Sequence, residues 1–325
     1  MTSARARSVV VATHGHCFDG MASAVVFSRL YRGLHPGATA TFVYRACDYG
    51  PGDSAVPASW MEGDDNAILD FRYTALPGLT WYFDHHATAF RTEADREHFE
   101  SRPEDRRFHD AAYPSCTRLI ADTARDRFGL DLGDLEELLR WADRIDTAAF
   151  TSAEEAVRRE APELHLMSVL EHHGNDALLN ALVPRLLREP LREVACSEEI
   201  QARYAPIARQ RQRNLDRLRE STQERGHIAF CDLGAEAGEV VEKFGLYWLF
   251  PRTTYSVVLS RTPGKAKISI GFNPWGPSPR RHHIGEICRR HGGGGHPVVG
   301  AINLGPQQLA RAHEICAEIL AELDA

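Results

Sequence analysis

Short apolar runs that stop at an acidic or imidazole residue recur through the first half of this 325-residue chain, in ATHGHCFDG, AILDF and WYFDHH. This pattern limits the folds open to it. An apolar run of four to six residues without polar alternation reads as a strand covered on both faces. The runs Ser8–Thr13, Thr39–Arg45, Asn66–Asp70 and Leu79–Phe83 are of this kind, and the stretch Gly20–Leu30 between the first two reads as a helix. Alternation of such strands with helices predicts a doubly wound α/β domain with a largely parallel sheet. A Gly-, Pro- and Asp-rich loop is expected at 48–65. Leu135, Leu138, Leu139 and Ala142 recur at helical spacing, which predicts a helix over 134–143 with Asp143 at its end.

The texture then changes twice. Residues from about 153 to 225 are helical in character and charge-rich, whereas strand-like runs return at His227–Leu233, Tyr255–Ser260 and Lys267–Phe272. We therefore expect a domain over 1–185, a helical connector over 186–226, and a smaller C-terminal α/β domain with a mixed sheet over 227–325. The formal charge of −7, from 38 basic and 45 acidic residues, lacks the basic excess that long duplex nucleic acid demands. Seven scattered cysteines without a C-x-x-C pair argue against a disulfide framework and for a cytoplasmic setting. No apolar stretch is long enough to predict a membrane association. A homodimer is compatible with the sequence.

Four clusters carry candidate chemistry: His14, His16, Cys17 and Asp19; Asp70; Asp84, His85 and His86; and Asp143 with Asp146. In open α/β sheets, ligands gather beyond the carboxyl ends of strands, where these clusters fall. A lone strand-end Asp is more often a cap or turn residue. Several together, interleaved with imidazoles, form a donor set for hard divalent cations. Such cations activate water and neutralise charge on phosphoryl oxygens. His172 and His173 lack acidic company and read as solvated surface, while Trp275 and Phe272 read as core before base-stacking. The Arg280–His283 run reads equally as phosphate contacts or as exposed surface.

In order along the chain stand H-x-x-C-x-D-G-x-x-S-A from His14, the strand-end Asp70, the Asp84-His85-His86 triplet, the Asp143/Asp146 pair and GGGGHPVVGA from Gly292. This series resembles the DHH phosphoesterase superfamily, an N-terminal DHH domain followed by a DHH-associated domain. The resemblance implies a metal-dependent hydrolase of small nucleotides, nucleoside bisphosphates or short single-stranded oligonucleotides, similar to nanoRNases, pAp-phosphatases and exonucleases of the RecJ kind. It implies two divalent ions, Mn²⁺ first and Mg²⁺ second. His14 and Asp70 would bind one, and Asp19, Asp70 and His85 the other. A further carboxylate would come from Asp143, with Asp146 the alternative. Asp84 would be a ligand or would orient imidazoles, and His86 would contact phosphate or donate a proton. Cys17 stands where many members have aspartate; with His16 it is a secondary candidate ligand.

Gly292, Gly293, Gly294, Gly295 and His296, with Arg289 and Arg290 just upstream, resemble the family's substrate-binding loop. Consecutive glycines let backbone N–H groups approach an anion. Two other readings remain open: an inorganic pyrophosphatase-like hydrolase, and a non-hydrolytic nucleotide sensor that has lost one metal position.

Overall fold

The computed structural model describes residues 6–49, 55–101, 105–234, 242 and 244–325; residues 50–54 of the expected loop lie outside them. Two compact units form, Met1–Ala149 with Glu160–Ile207, and Phe150–Arg159 with Ala208–Ala325. No described helix is long and apolar enough to cross a membrane.

The first unit contains β1 (Arg7–His14), α1 (Phe18–Leu34), β2 (Ala40–Cys47), β3 (Asp65–Leu69), β4 (Trp81–Asp84), α2 (Glu93–Glu100), β5 (Arg107–His109), α3 (Cys116–Phe128) and α4 (Glu136–Asp146). Its strands form a parallel sheet of order β2-β1-β3-β4-β5, as the apolar runs predict. β1 pairs with β2 on one side and β3 on the other, so the strand order reverses there. A crevice opens beyond strand ends at such a reversal. The register sets Thr13 opposite Leu69 and Leu69 opposite Phe83, which brings His14, Asp70 and Asp84 side by side where their strands end.

Helix α1 is buried along most of its length and packs against α3 and α4. Its start depends on Gly20, where a Cβ would lie 2.2 Å from the His14 carbonyl oxygen. The absence of a side chain lets the first turn close over the end of β1, and the Thr13 hydroxyl donates to Gly20 O at 2.8 Å. The Asp-Gly pair is thereby held against the end of the first strand. Helix α4 runs three residues past the expected end, to Asp146.

After α5 (Ala153–Arg158), which belongs to the second unit, come α6 (Pro162–His173), α7 (Asp176–Leu186) and α8 (Leu191–Cys196) in the first. The long α9 (Glu198–Ser221) carries the chain from one unit into the other. The second unit continues with β6 (Thr222–Arg225), β7 (Ile228–Asp232), α10 (Gly245–Leu249), β8 (Tyr255–Thr262), β9 (Lys265–Phe272), α11 (Ile284–Arg290), β10 (Gly294–His296), β11 (Val299–Leu304) and α12 (Ala312–Asp324). Its sheet, of order β10-β11-β9-β8-β7-β6, is mixed, with only β7 and β8 parallel among the described pairs. Ile268, Ile270 and Ile302 on one face meet Ile284, Ile287, Ile315 and Ile319 from α11 and α12 in a buried core. Trp275 belongs to the packing of this unit: its indole N–H donates to Phe150 O at 3.1 Å and its ring meets Phe244 edge-on.

Asp232, at the end of β7, accepts from Arg261 at 2.9 Å, His313 at 2.9 Å and Gly234 N–H at 2.9 Å. Burial opposes its ionisation, but these three donors outweigh it and hold the carboxyl below its ordinary 3.8. A depressed carboxylate contributes stability that is present above its ordinary value and lost as pH falls through the folded-state one. Asp232→Asn is expected to lower the thermal midpoint at pH 7 by about 2–4 °C, or about 1 kcal/mol for so partly exposed a group. Melts repeated at about pH 3 should show the gap narrowing; an unchanged gap would mean that the charge is not its source.

Candidate metal centre

The strand ends and two helix ends bring seven of the candidate residues into overlapping groups. The donor atoms of His14, Cys17 and Asp70 lie within 4.8 Å of one another, as do those of Asp70, His85 and His86, and those of Asp19, His85 and Asp146. Asp70 joins the first two groups and His85 the last two. His16 belongs to none of these groups among the described residues.

Asp70 is the centre of the arrangement. It follows the last residue of β3 with φ 51°, a left-handed conformation that Asp tolerates better than most residues, and its N–H donates to Phe83 O at 2.9 Å. This turn leaves its carboxylate 1% exposed, with no hydrogen-bond partner for either oxygen. Burial, together with the Asp19, Asp84 and Asp146 carboxylates, pushes Asp70 well above the ordinary carboxylate range. A buried carboxylate of this kind wants a positive charge.

Its neighbours are held by protein contacts that leave donor atoms facing it. Asp19 accepts from the first residues of α3, Cys116 N–H at 2.8 Å and Thr117 N–H at 3.0 Å, where the helix dipole also favours an anion. His85 Nδ1 donates to Tyr113 O at 3.1 Å. With Nδ1 so engaged, Nε2 faces the carboxylates, 3.6 Å from Asp19, 3.7 Å from Asp70 and 3.3 Å from Asp146. That Nε2 is buried and has no hydrogen-bond partner. Burial, then the nearby His86 and His16, lowers His14 to about 4, so its imidazole is neutral and able to ligate. The unpartnered Asp70 oxygens and the imidazole nitrogens of His14 and His85, converging within a few ångströms, fit a divalent cation.

Asp84 is used differently. It accepts from His86 Nδ1 at 2.7 Å, from the His85 N–H at 2.9 Å and from the Tyr82 hydroxyl at 3.1 Å. It therefore orients His86, and that hydrogen bond raises the His86 pKa against the opposing effect of burial. Asp143 does not face the cluster. Ser115 Oγ donates to it at 2.6 Å and Arg118 at 2.8–2.9 Å, whereas Asp146 comes to His85. Helix α4 continues to Asp146, and of the two acids in its last turn Asp143 is held by Ser115 and Arg118 while Asp146 lies beside His85. Motif spacing does not reveal the holding roles of Tyr82, Tyr113, Ser115, Thr117 and Arg118. A visible signal is Ser115, a helix N-cap preceding an apolar-periodic run, which caps α3 through the Arg118 N–H.

The glycine run lies in the second unit and is partly a strand. Gly292, with φ 77°, and Gly293 end α11; a Cβ on Gly293 would meet Ala301 O at 2.2 Å, and one on Gly295, with φ 154°, would meet Val299 O at 2.3 Å. Those three glycines are needed by the hairpin itself. At Gly294 a Cβ would meet nothing within 4 Å. Gly294 and His296 are exposed, Arg289 is exposed without an ion pair among the described residues, and Arg290 pairs with Glu322. Upstream, Arg280 donates to Pro297 O and the His283 side chain caps α11, so this run stitches the loop in place. His172 and His173 are exposed at the end of α6.

No family model matches the sequence, and no curated protein does. Among solved structures, a pGpG-specific phosphodiesterase, PggH from Vibrio cholerae, aligns with a TM-score of 0.68 at 18% identity over 98% of this chain and 99% of that one. A DHH domain described as belonging to a family of ribosomal proteins aligns with a TM-score of 0.62 at 14% identity over 98% and 88%. RecJ from Thermus thermophilus in complex with Mn²⁺ aligns at 0.52 and 14% identity, the chain covering 52% of its length. At these identities the likeness is one of fold.

Asn, like Asp, tolerates the left-handed backbone, so Asp70→Asn should keep the fold while removing the ionisable group that a cation would bind. The chelator-treated variant is expected to melt no lower than the wild type. Mn²⁺ at a hundredfold excess over its Kd should stabilise the wild type by about 2.7 kcal/mol and leave the variant unmoved. Equal stabilisation of both proteins by Mn²⁺ would remove Asp70 from the centre.

Proposed function

We propose that this chain is a phosphoesterase of the DHH superfamily that hydrolyses small nucleotide substrates with the aid of divalent cations. The observation that carries this reading is the convergence of His14, Asp19, Asp70, His85 and Asp146 at the strand-order reversal, with buried donors that find no partner in the protein. Two ions, Mn²⁺ in the first instance and Mg²⁺ in the second, would supply a water of lowered pKa and neutralise charge building on the phosphoryl oxygens. His14 and Asp70 would hold one ion, and Asp19, Asp70, His85 and Asp146 the other, with Asp70 shared.

The remaining residues take complementary roles. His86, its Nδ1 committed to Asp84, has Nε2 left to contact a phosphate oxygen or to protonate the departing oxygen. The bond to Asp84 favours the cationic imidazole, which suits either task. Gly294, His296 and Arg289 are proposed to bind the nucleotide, because Gly294 alone among the four glycines has no packing reason or positive φ to lack a side chain. The full-length likeness of fold to a pGpG-specific phosphodiesterase supports a linear dinucleotide as the preferred substrate class.

With Mn²⁺, a panel of linear dinucleotides, nucleoside 3′,5′-bisphosphates, longer single strands, duplex and pyrophosphate should yield mononucleotide from the first two and little from duplex or pyrophosphate. Asp84→Asn is expected to lower kcat by about 10²–10⁴-fold, as loss of a positioned proton donor does. Gly294→Ala should leave the thermal midpoint unchanged and raise KM roughly tenfold, a contact of about 1.4 kcal/mol. Release of phosphate from pyrophosphate alone would replace this reading with the pyrophosphatase one.

A further inference from the structure

The cation groups differ in chemistry. Asp19, His85 and Asp146 offer two carboxylates and an imidazole, whereas His14, Cys17 and Asp70 offer an imidazole, a sulfur and a carboxylate, with the three donor atoms mutually within 4.8 Å. Cys17 occupies the N-cap of α1, with φ −129° and ψ 143°; it makes no side-chain capping bond of ordinary geometry, although the Gly20 N–H lies toward its sulfur and favours the thiolate. Ser, Thr, Asp or Asn is the usual choice at that position because its oxygen accepts from the helix. Cys47, Cys116, Cys231, Cys288 and Cys316 are buried, whereas Cys17 is of intermediate accessibility. Its sulfur instead faces a carboxylate whose two oxygens are buried and unpartnered.

Resting on the reading that this cluster holds divalent cations, we infer that Cys17 Sγ is a ligand of the His14–Asp70 position and shifts its preference from Mn²⁺ or Mg²⁺ toward a borderline cation such as Zn²⁺, Co²⁺ or Fe²⁺. Thiolate is a soft donor that binds Mn²⁺ and Mg²⁺ poorly, and affinity of mixed N, O and S sites rises from Mn²⁺ through Fe²⁺ to Co²⁺. The thiol proton is released to solvent when the cation binds. The Asp19–His85–Asp146 position, with no sulfur, keeps the preference for a harder ion, so the two positions are chemically distinct.

The experiment titrates metal-free full-length protein with Co²⁺ and records its spectrum, with bound metal measured by equilibrium dialysis. The wild type should develop a thiolate-to-cobalt charge-transfer band in the near ultraviolet. Cys17→Ser and Cys17→Asp should bind Co²⁺ without that band. In competition, the wild type should favour Zn²⁺ over Mn²⁺ at least about tenfold more than Cys17→Asp does, the size of change typical for altered metal surroundings. Co²⁺ binding by the wild type without the band, or a band that survives in Cys17→Ser, overturns the inference and leaves the hydrolase reading standing. Failure of the wild type to bind Co²⁺ overturns both. The band without hydrolysis of any panel substrate overturns the hydrolase reading alone.

Discussion

A carboxylate buried among carboxylates governs this structure. Asp70 sits in a left-handed backbone conformation at the end of a central strand, shielded from water and without a hydrogen bond to either oxygen. Such a group costs several kcal/mol unless it is neutralised or paired. A left-handed backbone and an unpartnered, buried carboxyl at one residue mark a place where the fold is organised around something other than its own stability. A divalent cation removes the cost because it answers several carboxylates at once.

The acids around Asp70 divide by how they are partnered. Asp84 is fully engaged with Tyr82 and the two histidine N–H groups, and Asp143 with Ser115 and Arg118. These two hold other groups in place. Asp19 is locked to the start of α3, yet a carboxylate has about four acceptor directions and one of its oxygens still faces His85. Asp70 has no such engagement.

Much of this is legible in the sequence because strands in a covered sheet write themselves as apolar runs. β1 to β4 fall where those runs lie, and with them His14, Asp70 and Asp84. The three-residue edge strand β5, RFH, is half-buried and too short to stand out. Helix α4 shows a subtler limit. Its apolar stripe stops at Ala142, and periodicity marks only the buried face, so the polar last turn that carries Asp146 to His85 leaves no mark in the pattern. The glycine run reads in sequence as a backbone cradle for an anion. Gly292, Gly293 and Gly295 are also required by the end of α11 and the β10–β11 hairpin, a packing constraint between segments that spacing in one dimension does not reveal.

The most direct measurement is anomalous X-ray diffraction from crystals soaked in Mn²⁺, collected at an energy where the ion scatters anomalously. The account predicts peaks within bonding distance of Asp70, flanked by His14 on one side and by Asp19, His85 and Asp146 on the other. A clear map with no peak at Asp70, and with both its oxygens hydrogen-bonded to the protein, would contradict it.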